Sequence, residues 1–237
     1  MAAFTAPRIE TKNYVFASTH EEMNPRKRNT MEDVHRVIPS LKGSPEYSYF
    51  GVYDGHGGRQ IADFLEENLE NNISKELQQP DEAGILERLQ RAYLLTDIQS
   101  SRLKIDTSGA TAVSALLVTK FDEEDPSKVV SKMVYTANVG DSRCVVMSNH
   151  DPATGKSTEG GRLLAERLTY DHRAEDEGEG QRIRQAGGFI ARQRVLGILA
   201  VTRAFGDHGM KEFVTAEPFC MEVDLSLRQV CPLLVRV

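Results

Sequence analysis

The chain has no tryptophan, and its three cysteines, Cys144, Cys220 and Cys231, are far apart and form no CxxC. An odd, scattered set of this kind builds neither a disulfide framework nor a zinc site. The expectation is a reducing, intracellular compartment, cytoplasmic or nuclear. No apolar run approaches the roughly 18 residues of a membrane span. The opening MAAFTAPRIE has no apolar stretch of the secretory kind, so the Asn-Ile-Ser at Asn72 reads as a chance sequon. No repeat recurs at a period of about 20–50 residues. An excess of basic charge is also missing. The net charge is −6, which argues against nucleic acid or an anionic membrane as partner. Only NPRKRN at 24–29 is locally basic, and it reads as a solvated loop.

What is present is an ordinary globular composition over 237 residues. That length suits one domain, large enough to bury roughly 70% of its unfolded surface without staples. Residues 13–19, 33–41 and 47–54 read as strands. In the last of these Phe50, Val52 and Asp54 share one face, and Tyr49, Gly51 and Tyr53 share the other. The period then changes. Ile61, Leu65, Leu69, Ile73 and Leu77 recur every fourth residue, which is an amphipathic helix. Residues 84–103 read as a second helix, with Leu86, Leu89 and Tyr93 on one face. Segments 108–118, 128–140, 142–148 and 161–169 read as strands. Residues 174–188 read as an acidic helix closed by Gly187 or Gly188, and 189–207 are mixed. Strands, two helices, then more strands exclude a doubly wound parallel sheet and point to an α+β domain with mainly antiparallel sheet.

The stretch YFGVYDGHGG raises a chemical question. A carboxylate at the end of an apolar strand is costly to desolvate without a partner. A cation can be that partner, and an all-oxygen site suits Mg²⁺ or Mn²⁺. Asp54 could equally be the cap of a strand-to-helix turn. Two other acid-bearing turns accompany it. RNTMED places Arg28 four residues before the adjacent acids Glu32 and Asp33, and NVGDSR places Asp141 in a tight turn between strands. Three such turns at one rim of a sheet would repel one another and require cations.

RNTMEDVH, YFGVYDGHGG, SGATAV, ANVGDSR, LTYDHRAEDEGEGQRI and AGGFIARQRVLGILAVTRAFGD occur in that order. Together they resemble the metal-dependent serine/threonine protein phosphatases of type 2C, over residues 12–224. The resemblance implies an antiparallel β-sandwich flanked by helices on both sides, a four-layer α-β-β-α arrangement with the metal centre at one end. It implies Asp54 as a bridging carboxylate and Gly55 as a backbone-carbonyl ligand. Glu32 and Asp33 would hold metal-bound waters, and Asp141 would bind a weaker third ion. Arg28 would bind the substrate phosphate, Arg194 would stand in a flap beside the cleft, and His56 would be the general acid. Two Mg²⁺ or Mn²⁺ ions and phosphoprotein substrates follow, with a monomeric enzyme. Four other histidines, His35, His150, His172 and His208, read as surface or hydrogen-bonded residues, and Ser108 and Thr111 as setting a tight strand. The family pattern also has two later carboxylate ligands in blocks not found after Asp224. The expectation is therefore a domain incomplete at its C-terminus, a divergent tail at 225–237 and a deficient metal set. The alternative is an inactive form that binds phosphoproteins or partners.

Overall fold

The computed structural model describes residues 28–149 and 162–226 continuously, with 9–10, 16–23, 26, 151, 154, 156, 158, 160 and 233–236. Cys231, His150 and residues 13–15 of the first expected strand lie outside these. A short ribbon of β1 (Ile9–Glu10) and β2 (Phe16–Ala17) comes first. β3 (Asp33–Ile38) and β4 (Tyr47–His56) then pair, followed by α1 (Gln60–Leu77) and α2 (Ile85–Ser100). Next come β5 (Gly109–Phe121), β6 (Val129–Val139), β7 (Arg143–Ser148) and β8 (Leu164–Arg167). After α3 (Glu177–Gln185) the strands are short: β9 (Ile190–Ala191), β10 (Arg194–Val195) and β11 (Phe205–Gly206). β12 (Phe219–Asp224) and β13 (Leu233–Arg236) close the order.

The large sheet runs β12-β6-β5-β4-β3, with β11 pairing β5, and a smaller sheet runs β13-β7-β8. Every pairing between these strands is antiparallel. Two apolar clusters explain why they stack. Tyr49, Tyr53, Ala112 and Leu116 face Ile61, Leu65, Leu69, Ile73, Leu89 and Tyr93, so α1 and α2 cover one face of the large sheet. Phe50, Val52, Val113, Ala115 and Leu117 pack with Cys144 and Val146, so the small sheet covers the other. The alternation expected in β4 is what splits these residues between the two clusters. β5 lies between both layers and is buried along residues 109–119.

α3 begins at Glu177 because Asp176 accepts from the Glu179 amide at 2.9 Å, capping an orphan donor. It ends with Gly187 at φ +88 and the Gly188 amide bonded back to the Ile183 carbonyl. It packs with Val195, Val201, Ala204 and Val214 in a third cluster. Among the described residues no helix covers the outer face of the small sheet, so three of the four implied layers are present. The mixed segment after α3 resolves into a tight hairpin, with Arg192 and Gln193 at positive φ between β9 and β10. Part of the segment read as a divergent tail belongs to the sandwich. β13 pairs with β7, and Leu225, Leu233 and Val235 pack in the second cluster. Buried apolar surroundings push the Cys144 thiol up to about 12, and burial does the same to Cys220.

Candidate active site

Register decides which acids meet. Asp33 of β3 is directly opposite Asp54 of β4, and Asp54 is opposite Thr111 of β5. Directly opposed residues share a face, so two carboxylates stand side by side at the end of the sandwich face. Burial, then Asp33, then Asp141 push Asp54 up to about 6, with His56 opposing them. Asp141 thus faces the same carboxyl from the turn between β6 and β7. It also accepts from Arg173 Nη2 at 3.1 Å. Glu32 comes in through its backbone, because its carbonyl takes the Gly55 amide at 3.1 Å. A Cβ on Gly55 would lie 2.7 Å from that carbonyl oxygen, which is why no side chain fits there. The Glu32 side chain accepts from Thr30 Oγ1 at 3.3 Å.

His56 ends β4 on the same alternation as Asp54. Its Nε2 lies 2.7 Å from Oδ2 of Asp207. Burial lowers the imidazole pKa, the Asp207 hydrogen bond and charge raise it, and the balance is upward. Asp207 is buried, at 4% exposure. The sequence reading missed it, although the AFGD ending of the last motif block contained it.

Arg28 is exposed. Arg194 is exposed too, and its Nη1 donates to the Ile198 carbonyl at 2.7 Å within its own hairpin. Among the described residues no three carboxylates, imidazoles or thiols assemble into a metal-holding group. The donor chemistry nevertheless fits a hard cation. Every candidate donor is oxygen, and a dication is the charge that would relieve Asp54 of its neighbours.

The other sequence-flagged residues support the site without entering it. Ser108 Oγ donates to the Gly58 carbonyl at 2.8 Å and accepts from the Ile61 amide at 3.3 Å, tying β5 to the start of α1. Thr111 Oγ1 and Ser142 Oγ are 2.5 Å apart, which holds the Asp141 turn. His172 is buried, with its amide on the Gly140 carbonyl at 2.9 Å. Asp171 accepts from Arg143 and Arg167. Together these anchor the 138–143 turn. His35 pairs with Glu21, and His208 Nε2 lies 3.0 Å from Ser100 Oγ.

The fold and site define an antiparallel α+β sandwich with an acidic centre at one end of its large sheet. The family model described as Protein phosphatase 2C matches residues 18–235, and the chain belongs to that family. It is 34% identical over 211 residues to Protein phosphatase 2C homolog 1 of Saccharomyces cerevisiae, covering 87% of this chain and 70% of the relative. It is 32% identical over 209 residues to Protein phosphatase 2C homolog 1 of Schizosaccharomyces pombe, covering 87% of this chain and 54% of that one. Among solved structures it resembles a Caenorhabditis elegans sex determining protein, with a TM-score of 0.65 and 26% identity, over 83% of this chain and 46% of the other. The serine-threonine phosphatase 2C of Toxoplasma gondii shares the fold at a TM-score of 0.65 and 20% identity, over 86% and 72%.

Proposed function

We propose that the chain hydrolyses phosphoserine and phosphothreonine esters in proteins, with Mg²⁺ or Mn²⁺ as cofactor. The observation that carries this reading is the opposed Asp33–Asp54 pair with Asp141 facing it, in a chain of the protein phosphatase 2C family. Asp54, Asp33, Glu32 and the Gly55 carbonyl would hold two cations, and Asp141 a third. When bound, such cations acidify water and offset the charge on a transferring phosphoryl group.

The chain's own residues supply the rest. Arg28 is exposed and can offer a planar, always-charged fork to phosphate, which Lys does less well. Arg194 stands on the β9–β10 hairpin, where it could reach a substrate by releasing the Ile198 carbonyl. His56 is within the field of Asp54 and Glu32 and can give a proton to a leaving alkoxide. The test is phosphate release from a phosphothreonine peptide by the purified chain in millimolar Mn²⁺, with and without chelator. Release abolished by chelator supports the reading. Peptide binding without release would favour a partner-binding role.

A further inference from the structure

We propose that Asp207 is the positioning residue for His56. It accepts the Nε2 proton across 2.7 Å and so holds the ring with Nδ1 as the nitrogen turned to chemistry. The inference rests on the hydrolase reading above and adds a residue that sequence motifs alone do not mark.

Three observations carry it. First, the carboxylate is fixed. The Asp207 amide donates to the Ser108 carbonyl at 3.0 Å, and the Asp207 carbonyl accepts from the Met210 amide at 2.7 Å. The preceding amide, that of Gly206, donates to Asp97 Oδ1 on α2 at 2.9 Å. Lys211 Nζ lies 2.9 Å from Asp97 Oδ2 and binds the Ala204 carbonyl at 2.9 Å. The segment that carries Asp207 is thus tied to β5 on one side and to α2 on the other. Second, the carboxylate is 4% exposed and its ion-pair partner is His56. A buried carboxylate against an imidazole sets the tautomer and orientation of the ring. Third, space has been cleared for the pair. Gly109 lies opposite both His56 and Gly206 in the sheet. A Cβ there would stand 2.2 Å from Asp207 Oδ2 and 2.4 Å from His56 Nε2. Any side chain at 109 would displace one partner.

The proton bookkeeping is simple. The bond between phosphorus and the seryl or threonyl oxygen breaks, and its electron pair stays on that oxygen. The oxygen takes a proton from Nδ1 of the doubly protonated ring, and the N–H pair returns to the imidazole. The attacking water oxygen bonds phosphorus and releases a proton to solvent, and the ring regains one. Ester and water become alcohol and inorganic phosphate, with the Nε2–H···Oδ2 bond unbroken throughout.

The test uses the full chain. Long-range ¹H–¹⁵N spectra of the histidine rings, at a pH where His56 is neutral, report which nitrogen carries the proton. Wild type should show His56 as a fixed Nε2–H tautomer. An Nδ1–H or exchange-averaged ring in the wild type overturns the proposal without any variant. Gly109→Ala and Asp207→Ala should both release the ring to averaging. Each should lower turnover of a phosphothreonine peptide by about 10²-fold. p-Nitrophenyl phosphate, whose leaving group needs no proton, should lose less than about threefold. Equal losses on the two substrates would show a merely structural role and overturn the proposal. Should the wild type turn over neither substrate, the hydrolase reading fails, while the tautomer still decides whether Asp207 holds His56.

Discussion

Replacing Asp54 by Asn should stabilise the metal-free protein at neutral pH and abolish its response to divalent cations. Burial and the charges of Asp33 and Asp141 push Asp54 up to about 6 from its ordinary 3.8. A carboxyl whose folded pKa is raised contributes stability that is full below about 3.8 and lost as pH rises through about 6. Two units at roughly 1.4 kcal/mol each set a ceiling of about 3 kcal/mol. The group is only partly buried, so water screening brings this down to about 1–2 kcal/mol. For a domain of this size each kcal/mol moves Tm by roughly 2–4 °C. The Asn variant should therefore melt about 2–8 °C higher than wild type at pH 7 in chelator, with the gain vanishing towards pH 4. Added Mn²⁺ should reverse the order. A ligand at 100 times its Kd adds about 2.7 kcal/mol to the form that binds it, and the neutral amide bridges cations poorly. Thermal denaturation across pH 4–8, with and without Mn²⁺, reads both effects. An Asn variant no more stable than wild type at pH 7 in chelator would mean that Asp54 is already compensated, and the repulsion argument would fall.

Glu179→Gln should cost about 3 kcal/mol at pH 7, because the buried carboxylate that Arg203, Thr202 and Arg182 all address would be neutral. Its pKa is held at about 2 against burial, mainly by Arg203. The wild-type advantage is therefore full above about 4.5 and shrinks as pH falls towards 2. Urea denaturation at pH 7 and pH 3 checks it, and an equal cost at both would contradict the charge argument. Arg28→Ala should raise KM for a phosphopeptide and the inhibition constant of free phosphate by an amount corresponding to about 1.5–3 kcal/mol, the worth of a charge-assisted contact. Mn²⁺ affinity should stay unchanged by calorimetry. If neither constant moves, Arg28 is a solvent-facing residue.

The parts of the fold legible in the sequence are those where one residue's role is set by its near neighbours. The alternation of Tyr49, Phe50, Val52 and Tyr53 places them on opposite faces because a strand has no other choice. The fourfold spacing of Ile61, Leu65, Leu69 and Ile73 buries them together for the same reason on a helix. Residues 189–207 were illegible because turns govern them. Arg192, Gln193 and Leu196 take positive φ without being glycine, and no composition signal announces that. Asp207 was missed for a different reason. It lies 151 positions from His56, and the pairing of β11 with β5 that brings it back has no local trace. Its nearest signal was Gly109, which carries no side chain and lies in the block read as a tight strand through Ser108 and Thr111. The reason for that absence appears only once Asp207 is beside it.

The acidic centre inherits its position from the apolar register. Phe50, Val52, Asp54 and His56 share one face of β4, and Phe50 and Val52 are held there by the small sheet. The rung Asp33–Asp54–Thr111 and the rung His56–Gly109–Gly206 are successive same-face rungs of that strand. The first gathers the carboxylates. The second ends one residue before Asp207, which puts the imidazole's partner at the rim with the acids. A slip of one residue between β4 and β5 would move Asp54 and His56 to the helix-facing side, among Ile61, Leu65 and Tyr93, where neither a cation nor a phosphate could reach them. The clusters that stabilise the sandwich therefore also enforce the geometry of the site. A core substitution that loosens β4, such as Val52→Ala, acts on the site through register rather than through any contact with it.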